Sequence, residues 1–434
     1  MIIGRYGNLN KLKIIKVLIG ILCILILIVG AFWAYMLFFG GRVLRGITIV
    51  IEEYVAQSSA LMLGACITVT ILLMRLLASR RINHPKQYYV IIIIGFIISG
   101  FNAVSLLSTP YTIINANQEF DDAFGLDWEN NIPANVQNYF LPTPYFVSSH
   151  FLSIPEKPIT IETDVLFYSG ENITLYFDVY RSVELPSQLP GNGSIIINLH
   201  PGAWMSGGKG TWNMISTSKY LAGQGYVVFD IEYGLIDWFE YGAEAPDTPE
   251  YVMGNFTIED QVRHIGIFTN RCVSEFATTY GGNLDSVYFM GRSAGAHLAG
   301  VAGLGYNYDF HNTTFSPNIT VKGIIPLYPP SAAPDFLLKE RRTVNPDLYN
   351  AYDLVHLADI QDPPVLIFQG TSDAQVWIES VEKLETDLES KGVDCCLIKF
   401  PFAAHANDFV LSSNIGQVWM YYLERFLYLT QHIS

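Results

Sequence analysis

Hydrophobic and polar positions divide this chain into two regimes. Up to about residue 107 the apolar positions are continuous rather than periodic. Residues 17–39 (VLIGILCILILIVGAFWAYMLFF) carry no charge, residues 56–77 carry only Arg75 near one end, and residues 88–107 (YYVIIIIGFIISGFNAVSLL) carry none. As a helix, each run is long enough to cross roughly 30 Å of hydrocarbon with its backbone hydrogen bonds satisfied internally. Arg75 sits where a long side chain can snorkel to the interface. A secretory signal has a core of only about 7–15 residues and ends at a small-residue cleavage site. The first run is longer than that and two more follow it, so three transmembrane helices are expected within residues 1–110.

Residues 111–154 mix aromatics with acids and show no clear period, as expected of a tether or of a lid-like segment folded over the domain. From residue 159 the pattern becomes regular. ITIETDVLFY and NITLYFDVYRS alternate like the two strands of a hairpin around SGE. Short β-rich runs then follow at 195–199, 226–232, 287–290, 323–327, 365–368 and 396–400. Helix-like stretches at 258–280 and 381–391 lie between them, and 417–428 follows the last. This alternation predicts one α/β domain over residues 155–434: a mostly parallel central sheet with helices on both faces.

Charge orients the membrane region. Arg5, Lys11, Lys13 and Lys16 precede the first run; Arg75, Arg80, Arg81 and Lys86 lie between the second and third. Basic flanks stay in the cytoplasm, which places the N-terminus inside and everything after residue 107 outside, as in a multi-pass protein of the cell membrane. Five N-x-S/T sequons (Asn172, Asn192, Asn255, Asn312, Asn318) all follow the third run. Residues 1–110 hold 10 Lys+Arg against 2 Asp+Glu, and the remainder 15 against 38. A domain that acidic is repelled by phosphate backbones, so nucleic acid is excluded as a partner. The five cysteines have neither the number nor the placement for a disulfide framework, and no zinc spacing occurs.

In an open parallel sheet, functional groups gather at the carboxyl ends of strands. After run 287–290 comes Gly-Arg-Ser-Ala-Gly, with Ser293 between Gly291 and Gly295. Glycines are needed there because strand and helix approach too closely for side chains. The small-residue stretch AGAHLAGVAGL follows as a helix. After 195–199 comes HPGAW, a glycine-containing loop whose backbone N–H groups suit an anionic oxygen. Pro201 lacks an N–H, which leaves Gly202 and Ala203, with Ala294 after the serine, as donors. Asp373 follows run 365–368 and His405 follows 396–400. An alcohol, an acid and an imidazole in that chain order, each at a strand end, form the Ser…Asp…His order of a nucleophilic triad. Each has a bland alternative: a turn serine, a turn-forming acid, a surface histidine.

HPGAW, GRSAGAHLA, PPVLIFQGTSDAQV and AAHANDF resemble the α/β-hydrolase superfamily, in particular its H-G-G-x-W and G-x-S-A-G esterase/lipase group, over about residues 155–430. The resemblance implies Ser293 as nucleophile, His405 as general base, Asp373 as its orienter, and Gly202, Ala203 and Ala294 as the oxyanion hole. His200 and Trp204 then shape the loop on the substrate side, and His297 is a helix residue rather than a base. Two departures stand out. Pro201 replaces a loop glycine, and Gly234 follows Tyr233 where relatives often carry an arginine, which puts that residue's support of the loop in doubt.

SGGKG (206–210) lacks the spacing and the Ser/Thr of a phosphate loop. Asp353, His356 and Asp359 recur every third residue, as on a helix surface, and no metal or other cofactor is implied. Trp238, Phe239 and Tyr241 lie beyond a strand end, suited to a lid or acyl pocket or to packing on the body. The expectation is a membrane-anchored serine hydrolase acting on a small-molecule or lipid ester, with the bilayer as its other partner. An amidase, deacetylase or peptidase uses the same triad, and a non-catalytic binding module uses the same fold. Oligomeric state is not legible.

Overall fold

The computed structural model describes residues 2–43, 49–210, 214–236, 248–334, 337–339 and 346–432. The N-terminal region forms α1 (Ile2–Val43), α2 (Ile49–Val55), α3 (Ser59–Leu76), α4 (Pro85–Leu107) and α5 (Thr109–Phe124). The stretches Lys13–Gly40, Ser59–Leu76 and Pro85–Phe124 are long and apolar enough to cross a membrane. Where α1, α3 and α4 meet, Cys23, Leu27, Cys66, Val69, Leu73 and Ile92 are buried together. Close approach there depends on small residues: a Cβ on Gly95 would collide with Thr70, and Asn102 Nδ2 donates to the Gly30 carbonyl at 3.0 Å.

The segment expected as either a tether or a lid-like cover begins with a helix packed on the domain. Residue 108 alone separates α4 from α5, so the third apolar helix continues past its last apolar turn. In α5 the buried positions Thr112, Ala116 and Phe120 recur every four residues and make one stripe. Phe120 packs against Trp128 and Tyr422 with ring centroids 4.9 and 5.1 Å apart. The stripe is narrow and its opposite face mixed, with Tyr111 and Ile114 exposed beside Gln118 and Asp122, which hid the helix in the sequence.

The sheet is built from β1 (Ile159–Gly170), β2 (Ile173–Ser182), β3 (Ser194–Leu199), α6 (Met214–Gly223), β4 (Val227–Ile231), α7 (Ile258–Arg271), β5 (Asn283–Arg292), α8 (Ala294–Leu304), β6 (Val321–Leu327), β7 (Val365–Gly370), α9 (Ile378–Ser390), β8 (Cys395–Phe400) and α10 (Asn414–Gln431). Its strand order is β1-β2-β4-β3-β5-β6-β7-β8. β2 is antiparallel to β1 and β4; every pairing from β4 to β8 is parallel. Strand periodicity places a core on each face: Ile195, Ile197 and Leu199 join Ile265, Leu298 and Leu384 on one side, while Ile196 joins Leu221 and Trp419 on the other. All eight strand candidates are therefore present, in an α/β-hydrolase-type fold. The second core does not stop at the domain. Met36, Leu37, Val55 and Ala56 belong to the same apolar cluster as Phe400, Ala403, Ala406 and Ile415.

Candidate active site: a serine triad at the sheet's carboxyl edge

The elbow that carries the candidate nucleophile, Ser293, comes from a local conflict. β5 must reverse into α8 within one residue, and Ser293 adopts φ 53°, ψ −118° there, a region that side chains avoid. The turn closes only because Gly291 and Gly295 lack side chains. A Cβ on Gly291 would run into the Gly295 carbonyl, and one on Gly295 into the carbonyls of Leu199, the last residue of β3, and His200 just after it. The Ser293 N–H bonds the Leu327 carbonyl at 3.0 Å and fixes the elbow to β6. The Oγ is left half-buried at the strand end.

The predicted triad is assembled. His405 Nε2 lies 3.0 Å from Ser293 Oγ, and His405 Nδ1 lies 2.7 Å from Asp373 Oδ2. The other Asp373 oxygen accepts the N–H groups of Gln375 and Val376 at 2.8 and 2.9 Å, which locks the carboxylate's orientation. Both partners are buried. Burial alone would depress the His405 imidazole, but the Asp373 carboxylate outweighs it, with Glu53 and Asp408 adding to the pull, and holds it above the usual histidine range.

The oxyanion loop is equally constrained. Gly202, Ala203 and Trp204 run consecutively through positive φ (134°, 52° and 64°). This turns the chain back so that the Met205 and Ser206 N–H groups both reach the Gly202 carbonyl, at 3.0 and 2.9 Å. Ala294, first in α8, has no helical partner for its N–H. His200 lies beneath the loop, fully enclosed and stacked on Tyr233 at 4.1 Å, while the Tyr233 hydroxyl donates to its carbonyl at 2.7 Å. Burial pushes that imidazole down to about 4, so it is neutral. Trp204 is also buried, edge-on to His297, whose Nε2–H donates to the Tyr352 carbonyl at 2.8 Å. Trp238, Phe239 and Tyr241 lie outside the described residues.

Support expected of an arginine after Tyr233 comes from elsewhere. A Cβ on Gly234 would strike His264 and Phe256, and Gln261 Nε2 bridges the Trp204 and Gly234 carbonyls at 2.8 and 3.0 Å. Gln261 lies on α7 and left no signal in the sequence. Lys209, in the rejected phosphate-loop stretch, pairs with Asp164 and Asp178 at 2.6 and 2.9 Å. Asp353 caps the turn that contains His356.

Sequence reasoning also missed the scaffold behind the histidine. Arg292 is wholly buried and donates to Asp408 at 2.7 Å and Thr217 at 3.1 Å. Tyr328 donates to the other Asp408 oxygen at 3.0 Å and lays its ring 4.5 Å from that of His405. The one available signal was position: Arg292 within the G-x-S-x-G stretch, Asp408 three residues after the histidine.

The parallel sheet and the Ser293–His405–Asp373 line at its carboxyl edge have the arrangement expected of an α/β-hydrolase-type serine hydrolase. Residues 269–388, which hold Ser293 and Asp373, match the family model BD-FAE, that of an α/β-hydrolase-type esterase family. The chain is similar to esterase 2 from Thermogutta terrifontis, 23% identical over 62% of this chain and 93% of that one, with a TM-score of 0.46. Its butyrate-bound form is 22% identical over 61% and 90%, with a TM-score of 0.47. Esterase B from Lactobacillus rhamnosis is 16% identical over 64% and 90%, with a TM-score of 0.47. No curated protein matches the chain.

Proposed function

We propose that this protein is a membrane-anchored hydrolase of carboxylic esters that works outside the cytoplasm through an acyl-enzyme on Ser293. The observation that carries the chemistry is the continuous hydrogen-bonded line from Ser293 Oγ through both His405 nitrogens to Asp373, at 3.0 and 2.7 Å. His405 takes the hydroxyl proton as Oγ attacks the ester carbonyl. The Gly202, Ala203 and Ala294 N–H groups hold the oxygen that becomes negative. His405 then protonates the departing alkoxide, and the C–O bond to the alcohol breaks. Water, deprotonated by the same imidazole, attacks the acyl carbon and releases the acid. Asp373 keeps the imidazole in the tautomer that accepts at Nε2.

Three features support the membrane reading. Three apolar helices are long enough to span, and eight of the ten Lys and Arg before residue 110, all but Arg42 and Arg45, flank the helix ends opposite those near Glu52, Glu53 and Ser105. Among the described residues, the hydrogen bonds between domain and bundle fall at the other end: Asn407 reaches the Glu52 and Glu53 carbonyls, and Asn414 reaches Ser105 and Thr109. The asparagines of all five sequons are exposed. A fluorophosphonate probe tests the chemistry. It should label the wild-type protein and not Ser293→Ala, and a panel of esters and amides should be turned over with esters preferred. No labelling of folded protein would leave a binding module instead.

A further inference from the structure

Residues 130–155 carry no Asp, Glu, Lys or Arg, in a domain that elsewhere is rich in acids. Large apolar side chains nevertheless point outward there. Phe146, Val147, Phe151 and Leu152 are 58, 58, 59 and 80% exposed, on and just before the short helix Val147–Leu152. Val147 and Phe151, one turn apart, share a face. The imidazole of His150 is turned the other way: it is buried, with Nδ1 3.4 Å from the Tyr145 hydroxyl. Single exposed apolar residues are ordinary on a protein surface, whereas an uncharged cluster of them marks a contact.

Two independent ties place this cluster at the level where the apolar helices end. On one side, the Phe146 N–H donates to Gln417 Oε1 at 2.9 Å, in the first turn of α10. Asn414, which opens that helix, reaches the Ser105 carbonyl and the Thr109 hydroxyl, each at 3.2 Å, where α4 ends and α5 begins. On the other side, Ser153 lines a cavity of about 370 Å³ together with Ile154, Phe409 and Val410. Phe409 packs on Tyr54 with ring centroids 5.1 Å apart, and the Val410 N–H donates to Gln57 Oε1 at 2.6 Å. Gln57 lies in the turn between α2 and α3, just before the apolar stretch Ser59–Leu76 begins. The cluster therefore stands beside the bundle at the depth of its outer end. An apolar surface at that depth meets the boundary between headgroups and hydrocarbon, where Phe, Val and Leu gain burial without desolvating a charge. A protein partner would have to be recognised across this segment with no charge to set its register, which a bilayer does not need.

We infer that residues 146–152 form an interfacial foot, a surface that inserts its apolar side chains into the outer leaflet at the boundary between headgroups and acyl chains. This goes beyond the membrane reading above and rests on it, but not on the esterase reading. With the helices, the foot gives the domain a second support on the bilayer. The loop that follows β8 touches both supports through Phe409 and Val410, so the carboxyl edge of the sheet is held toward the membrane.

The test places one fluorescent label at a time on the full chain, in phosphatidylcholine vesicles whose lipids carry a nitroxide quencher either near the headgroup or deep in the acyl chain. The native cysteines are buried, so Phe151→Cys, Leu25→Cys and Ile360→Cys each give a single accessible site, with the unsubstituted protein as background. Ile360 is 77% exposed and precedes β7, at the sheet's amino edge; Leu25 is exposed midway along α1. Interfacial helices sink about 5–10 Å, so the Phe151→Cys label should lose about half or more of its fluorescence to the shallow nitroxide and less to the deep one. The Ile360→Cys label should lose almost none. The Leu25→Cys label should be quenched most by the deep nitroxide, which reports that the bundle spans. Melting temperatures equal to that of the unsubstituted protein show that the variants are folded. The inference is overturned if the Leu25→Cys label is quenched and the Phe151→Cys label no more than the Ile360→Cys label. It is also overturned if the Phe151→Cys label is shielded from both the nitroxides and aqueous iodide and that position cross-links to a second copy, which makes the surface a protein interface. An unquenched Leu25→Cys label removes the membrane reading, and the foot with it.

Discussion

Ser293 and His405 meet at 3.0 Å, yet the chain holds them in opposite ways. The serine's elbow is closed by two glycines four positions apart and by the strand and helix that flank it. The histidine's loop, residues 401–413, has no helix or strand of its own to fix it. It is held by Arg292 on Asp408 across 116 positions, by Gln57 on Val410 across 353, and by Glu53 on Asn407 across 354. One half of the site is a property of a short segment. The other half exists only once the sheet has formed and the N-terminal helices have docked. The contrast predicts that damage to the elbow abolishes the enzyme outright, whereas damage to the loop's distant supports degrades it by steps.

Removing the nucleophile is the largest perturbation. Ser293→Ala should lower ester hydrolysis by about 10⁴-fold or more while the melting temperature holds, since only an oxygen is lost. Arg292→Met comes next. It leaves the Asp408 carboxylate buried without its cation, a defect worth about 3–5 kcal/mol. Calorimetry should show the loss, and because Asp408 and Tyr328 support the histidine, kcat should fall with it. Unaltered stability would mean that the pair does not brace the loop. Asn407→Ala removes two bonds to the α2 carbonyls without touching the triad. It should cost about 1–3 kcal/mol and lower kcat more than it raises KM. A KM effect alone would contradict a positioning role.

The smallest expected effect is electrostatic. The base must be neutral to act, so kcat/KM should rise with pH through the elevated His405 pKa, above the usual histidine range. Glu53 contributes to that elevation. Its own carboxyl is pushed up to about 7, mainly by burial, against the opposing pull of His405 and with Asp408 and Glu52 adding to the rise. Glu53→Gln removes a negative charge near the imidazole and should move the acid limb of the profile to lower pH. A limb that stays in place would show that the α2 carboxylate does not reach the base.

Legibility followed the same division. The three side chains that meet at Ser293 and the eight strands were readable because each is written locally: period-two runs, glycines where strand and helix collide, and chemistry at strand ends. The supports were not. Gln261 steadies the oxyanion loop from α7, and Arg292 reads as filler between two informative residues although it is the buried cation of the site. The 111–154 segment leaves tether and lid-like cover open because α5 is ordered by the last strand and the last helix, both some 300 residues further on.

By itself, then, the sequence determined the kinds of element, their order, and the three reactive groups, because hydrophobic period and backbone sterics act over a few residues. Only the tertiary structure decided how the base is held, what fixes its charge, and that the apolar helices form one wall of the catalytic region. Those depend on buried polar and ionic contacts between segments up to 355 positions apart. No local pattern encodes such partners, since any one donor or charge along the chain is compatible with many.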